Sequence, residues 1–378
     1  TRKHLVLTSL GIALLLLVAS VSTAPAQSVL SVDAGFASVS YGADSSIGAS
    51  VFSIAPTFDL TTNQLSLTAS AGYGRFTSGS WSLQGGATGS WYAPPLGPLR
   101  PELGGWISGT SYPNDFGTGR YGGLLRLHWL GENSGVWLGG GAGRAWDGFD
   151  WQRNDRLEAG GWLRRGPVVA AATVTPSYVG DLRFTDVQLV GRLVRGPAEF
   201  TAAAGLRAWS NPDASGSGWA ALTAVYWIER RLALTGGIGQ YPADFAEGNP
   251  QGKYLTLGIR LASGRPPRPT SEREGAELLR QALARPLVPR FEISRGADGV
   301  TLTIGAPDAH RVELMGDFTD WQAVALSRDG DRWSVTLPIS PGIHRLNLRV
   351  DGGKWGVPPG LPVLKDDFGG VVALVSVE

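Results

Sequence analysis

The sequence predicts an all-β chain: an antiparallel transmembrane β-barrel of about fourteen strands, followed by a small immunoglobulin-like β-sandwich. Three observations predict it. Apolar and polar residues alternate with period two from about Ser28 to Ala262, tryptophans mark the ends of the apolar faces, and the patterning changes after Val288. The chain has 378 residues, room for two domains, with 43% hydrophobic and 17% charged residues. That balance excludes a disordered chain. A net charge of +1 leaves no basic excess for a nucleic-acid partner. The absence of cysteine removes disulfides, thiolate metal sites and cysteine nucleophiles together.

Arg2, Lys3 and His4 precede an apolar run from Leu5 to Val21, and Ala24-Pro25-Ala26 supplies small residues at a cleavage distance. Residues 1–26 are therefore expected to be a secretory signal peptide. No later stretch is long and apolar enough for a spanning helix.

Residues 27–262 carry the barrel pattern. In Trp81–Trp91 one face holds Trp81, Leu83, Gly85, Ala87, Gly89 and Trp91, and the other is polar. Tyr121, Gly123, Leu125, Leu127 and Trp129 form a second apolar face. Trp219, Ala221, Thr223, Val225 and Trp227 form a third, and Leu255, Leu257, Ile259 and Leu261 a fourth. Ten residues between Trp81 and Trp91 project to about 25 Å at a barrel's strand tilt, the height of an outer-membrane apolar band. A soluble sandwich needs larger inward residues than these faces offer. Strands are expected to start near Ser28, Ser45, Asn63, Gly79, Leu99, Gly117, Gly135, Asp155, Val168, Leu182, Ala198, Gly218, Arg231 and Gly252.

An even strand number puts both barrel ends on one side. Long odd-numbered connections (Ser111–Thr118, Trp146–Asn154, Ser210–Ser217, Tyr241–Gln251) against tight even-numbered ones at 131–134, 165–167, 195–197 and 229–230 make that side periplasmic. The expected location is the bacterial outer membrane, with lipid as partner and the C-terminal domain in the periplasm. The polar faces place Arg126, His128, Arg156, Glu158, Arg164, Asp186, Arg192, Glu199, Arg207 and Arg260 in the lumen. They line a solute path or form an ion-pair lattice; neither sign forms a run.

Residues 263–287 read as a linker with a short helix: a Pro/Arg-rich stretch over Gly264–Pro269, then the capping box Ser271–Glu274. From 288 to 378 short soluble-type strands follow: Phe291–Ser294, Val300–Ile304, Arg311–Met315, Trp333–Leu337, Ile343–Val350 and Val371–Val377. Such spacing suggests an immunoglobulin-like sandwich.

Within this region Gly316-Asp317-Phe318-Thr319-Asp320-Trp321, Asp331-Arg332-Trp333 and Val350-Asp351-Gly352-Gly353-Lys354-Trp355 resemble the glycogen-binding domain of the AMP-activated protein kinase β-subunit, a family 48 carbohydrate-binding module. The resemblance covers roughly the last quarter of the chain. It implies an α-glucan or oligosaccharide ligand stacked on Trp321 and Trp355, since a pyranose face packs on an indole. The family's sugar-binding lysine falls at Asn347, and its asparagine falls at Val372 or Ala373. Lys354 or Lys365 is the candidate substitute, and Trp333 is expected in the core.

Other chemistry is not expected. Catalytic and phosphate-binding motifs are missing, Gly139–Gly143 lies on a strand, and adjacent Asp366 and Asp367 point oppositely on an extended segment. His310 and His344 read as isolated strand residues with no carboxylate or third ligand at metal spacing, and no serine partner can be identified around His128. No metal, cofactor or catalysis is anticipated. The expectation is an outer-membrane barrel carrying a glucan-binding-like domain. Alternatives are a solute channel gated or fed by that domain, and a domain that docks a periplasmic protein without binding sugar.

Overall fold

The computed structural model describes residues 27–41, 47–77, 79–112, 117–148, 150–210, 217–244, 251–265, 291–296, 298–306, 309–358, 361, 363–365 and 371–377. The signal peptide, the linker helix and Asp366 and Asp367 lie outside the described residues.

Fourteen strands close into a ring in which every strand pairs antiparallel with its sequence neighbours and β1 pairs with β14. They are β1 (Gln27–Tyr41), β2 (Ile47–Thr61), β3 (Leu65–Phe76), β4 (Trp81–Tyr92), β5 (Leu99–Ser111), β6 (Gly117–Leu130) and β7 (Ser134–Trp146). The ring continues with β8 (Trp151–Arg165), β9 (Val168–Val179), β10 (Leu182–Arg195), β11 (Ala198–Trp209), β12 (Ser217–Trp227), β13 (Leu232–Tyr241) and β14 (Gly252–Ala262). Closure leaves no free edge, which is what a sheet in hydrocarbon requires. The ring matches the predicted strand number. Six starts coincide with the sequence expectation (Leu99, Gly117, Val168, Leu182, Ala198, Gly252) and the others fall within four residues. The connection asymmetry is less complete: 180–181, an odd-numbered turn, is tight, while the even-numbered 93–98 is longer.

The outward face is a continuous apolar belt. Phe36, Leu125, Leu138, Leu206 and Leu257 are all more than 65% exposed, on strands spread around the ring. Water would meet far more contiguous apolar area than a soluble monomer carries. Tyr121 and Trp129 bracket the belt on β6, about 20 Å apart along the barrel axis at the usual rise and tilt.

One face is corrected. On β12 the side with Trp219 and Trp227 was expected to meet lipid, yet both are buried inside the ring, while Leu222 and Tyr226 on the other face are exposed. Both faces of β12 are apolar, so alternation carries no information there. Packing decides instead. Trp219 lies on its cross-strand partner Gly205, where a Cβ would sit 2.2 Å from the indole. The same direct pairing recurs inside the ring at Trp106 on Gly122, Trp137 on Gly160 and Trp162 on Gly135. The missing side chain opposite each indole lets the ring lie flat on the wall.

The C-terminal region forms two sheets around one core. The first has order β15 (Glu292–Gly296), β16 (Gly299–Gly305), β20 (Arg332–Leu337) and β19 (Ser327–Asp329). The second has order β18 (Val324–Ala325), β17 (Val312–Gly316), β21 (Gly342–Val350), β23 (Val371–Val377) and β22 (Val363–Lys365). Leu302, Leu314, Leu346 and Val375 are fully buried between them. Trp333 is in this core and donates its indole N–H to the Ala306 carbonyl at 3.0 Å. The short strands β18, β19 and β22 were not anticipated, being too brief to show alternation.

Chain direction relates the two parts. After β14, Ser263 exchanges hydrogen bonds with Leu30 at the tight-turn rim. Arg265 then reaches across that mouth to Glu199 and the Gly196 carbonyl. Gly305, by contrast, approaches the other rim: a methyl there would lie 3.2 Å from the Gly48 carbonyl oxygen.

Candidate functional site

The exposed tryptophan is built by its own motif. Gly316 ends β17 where a Cβ would lie 2.6 Å from the Arg345 carbonyl oxygen, so only glycine fits. Asp317 then caps the neighbouring strand, accepting from the Arg345 N–H at 2.9 Å and pairing with His344 Nδ1 at 2.9 Å. Phe318 packs edge-on against His344. The Thr319 hydroxyl accepts from the Gly316 N–H and closes a 3-10 turn over Asp317–Thr319. Asp320 and Trp321 both take left-handed backbone, φ 49 and φ 58. Two consecutive non-glycine residues there are costly, and the surrounding hydrogen bonds hold them. The result projects Trp321 outward with 42% of its surface exposed.

The second tryptophan comes from the return of β21. Asp351 turns the chain with φ 50 and accepts from the His310 and Arg311 N–H groups at 2.8 and 2.7 Å. Gly356 then bridges back to Leu348. Leu348 faces the core, so Trp355 lands on the outer face beside Asn347 and Arg349. The Arg349 guanidinium lies 4.5 Å over the Trp355 ring and is itself held by buried Glu313. Arg311 also donates to Glu313, at 2.7 Å. Burial works against the charge on Glu313, but the hydrogen bonds and positive charge of Arg311 and Arg349 outweigh it and hold the carboxyl below its ordinary range.

Asn347 also lies on this outer face, and its side-chain oxygen is buried without a hydrogen-bond partner among the described residues. A buried unpaired acceptor is uncommon and calls for a donor. Continuing the β21–β23 register sets Val372 beside Asn347, while Ala373 faces the core. Of Val372 and Ala373, Val372 is therefore the one on the outer face. Lys354 is exposed in the turn before Trp355. His344 has a carboxylate partner in Asp317, 27 residues away and invisible to local spacing.

The lumen holds a second polar assembly. Glu102, fully buried, accepts from Arg126 at 3.1 and 3.2 Å, from His128 Nε2 at 2.7 Å, and from the Ser90 hydroxyl. Arg126 continues to Glu158 at 2.9 Å, which also accepts the Trp137 indole N–H at 2.6 Å. The Ser90 hydroxyl donates to the carboxylate that also holds His128. Elsewhere Arg192 pairs with Glu199, Arg260 with Asp33, and Arg207 with Asp186 by two hydrogen bonds. Arg156 stacks on Trp106, and Arg164 faces inward on the same strand. Glu102 was missed in the sequence reading. Its signal was there: Arg100 and Glu102 alternate with Leu99, Pro101 and Leu103 at the start of β5. Among the described residues no group of three metal-ligating side chains occurs.

Residues 305–378 match the family described as the glycogen recognition site of AMP-activated protein kinase. No curated protein matches the chain. An anion-selective porin from Comamonas acidovorans is similar in structure at 13% identity, covering 64% of this chain and 100% of that one, with a TM-score of 0.39. OccK2 of Pseudomonas aeruginosa is similar at 10% identity over 63% of this chain and 97% of that one, TM-score 0.38. A TodX monoaromatic hydrocarbon channel variant is similar at 9% identity over 64% and 90%, TM-score 0.38. The chain joins a closed fourteen-strand β-barrel to a region that matches a carbohydrate-binding module.

Proposed function

We propose that this chain is a non-catalytic outer-membrane barrel that carries an α-glucan-binding module on its periplasmic side. The observation that carries the sugar reading is Trp321, held outward on strained backbone, with Trp355 and an unpaired Asn347 acceptor on the neighbouring sheet face. An indole offers a stacking surface to a pyranose, and a sugar hydroxyl is the donor Asn347 lacks. The apolar belt supports the membrane reading, and the exit of β14 at the tight-turn rim supports the periplasmic side. Retention of the full-length protein, in detergent, on insoluble α-glucan tests recognition. Trp321→Ala and Trp355→Ala should each abolish it. Equal retention of all three proteins, or none by the wild type, leaves the docking role.

A second reading of sidedness rests on Gly305, whose approach to Gly48 favours the long-loop side for the module. Protease added to intact cells separates the two, since only a surface module is cut. The channel alternative rests on the inward polar set and is tested by conductance, argued below.

A further inference from the structure

Among the described barrel strands one acid, Asp155 near the long-loop rim, faces outward, where it pairs with Arg153. Asp33, Asp59, Glu102, Glu158, Asp186 and Glu199 all face the lumen, where each has a polar partner. Arg165 and Arg195 do the opposite: each is the last residue of its strand, exposed, and on the outward face. They close a repeated segment, Leu163-Arg164-Arg165-Gly166-Pro167 and Leu193-Val194-Arg195-Gly196-Pro197. In both copies the arginine sits one pleat beyond an outward leucine, Leu163 or Leu193. Two residues along a tilted strand is about 5 Å, so each guanidinium stands just past the hydrocarbon edge.

The wall beneath them is hollowed. Trp129, Val136, Gly161, Ala172 and Leu189 are successive register partners across β6 to β10. Large residues stand at both ends of this row and small ones between. In the next row toward the turns Leu163 is followed by two small residues, Ala170 and Gly191. The outcome is a groove of about 530 Å³ on the lipid face, lined by Trp129, Val136, Gly161, Leu163, Ala172 and Leu189. It runs toward Val168, which pairs with Arg165 on one side and Leu193 on the other. The nearest turn carboxylate, Glu132, is exposed in the β6–β7 turn.

We propose that this groove and the two arginines form a site for an anionic membrane phospholipid, with an acyl chain in the groove and its phosphate between Arg165 and Arg195. The proposal rests on the membrane reading above and adds a ligand class at a defined place. Two guanidiniums matched to a phosphate give charge-assisted hydrogen bonds, and the girdle level is where such headgroups lie. The small residues remove the bulk that would otherwise hold a chain off the wall.

The test uses the full-length protein in neutral detergent, titrated with phosphatidylglycerol and read by native mass spectrometry. Wild type should bind it at least tenfold more tightly than phosphatidylcholine. Arg165→Gln with Arg195→Gln should remove that preference. Ala172→Leu, which fills the groove and leaves the charges, should weaken binding of the lipid. Arg144→Gln with Arg183→Gln, at the other rim, should not. Equal affinity for the two lipids, or an unchanged preference in the double glutamine variant, overturns the site. Displacement of the lipid by millimolar inorganic phosphate overturns the lipid assignment in favour of a free anion. Failure of the membrane reading looks different: wild type and variants alike would then fail to insert into phosphatidylcholine vesicles.

Discussion

At the scale of single residues, the two carboxylates that matter most are buried and shared. Glu102 is surrounded by Arg126, His128 and Ser90, so removing it strips the buried Arg126 guanidinium of a carboxylate partner. Glu102→Ala should cost about 3–5 kcal/mol, the usual penalty for breaking a buried charge pair from one side. Urea unfolding in micelles measures it. Glu313 lies in the sandwich, on β17. Its carboxyl is held below the ordinary value of 4.5 by Arg311 and Arg349 despite burial. A depressed folded value means the stabilisation is complete above the unfolded value and is lost as pH falls through the folded one. The urea midpoint of the sandwich transition should therefore fall in wild type below about pH 4.5, and Glu313→Gln should show a lower midpoint at neutral pH with a flatter acid limb. Parallel pH curves for the two proteins would show that Glu313 is not the group responsible.

At the scale of strands, the inward tryptophans explain why the ring tolerates so many glycines. Each of Trp106, Trp137, Trp162 and Trp219 faces a glycine directly across the ladder. Gly205→Ala puts a Cβ into the Trp219 indole and should cost about 1–3 kcal/mol as overpacking. Ala203, on the same face without an indole opposite, is the control position: Ala203→Gly should cost less. Thermal unfolding in detergent ranks the two. These pairs also mark where the sequence stops being legible. On β4, β6 and β14 one face is apolar and the other polar, so alternation alone orients the strand. On β12, Leu222 and Tyr226 oppose Trp219 and Trp227, and only the glycine on the neighbouring strand decides. The same limit holds in the module. Gly316 through Trp321 is readable because one short motif makes the whole turn. The Glu313–Arg349 and Asp317–His344 pairs join residues 36 and 27 apart in sequence, beyond any local period.

At the scale of the whole molecule, fourteen strands fall between eight-strand rings filled by side chains and the sixteen- to eighteen-strand rings that hold water. Strand number therefore leaves conduction open, and lumen content decides it. Here the wall from β4 to β10 turns indoles and paired charges inward. Trp137 and Trp162 are almost wholly buried, and the Glu102 carboxylate is sealed beneath Arg126. Among the described residues Asp33, Glu102, Glu158, Asp186 and Glu199 each pair with an inward arginine, so the lining alternates in sign rather than presenting one sign to draw an ion through. The wild-type barrel should accordingly show low conductance in planar bilayers. Trp137→Ala with Trp162→Ala clears bulk from one wall, losing one indole hydrogen bond to Glu158 but leaving the Arg126–Glu158 pair, and should raise conductance several-fold, with weak ion selectivity because the ion pairs remain. A wild-type conductance already as large as that of the double variant would mean the packed wall is not the constriction. The barrel would then be a solute path, with the module as its feeder.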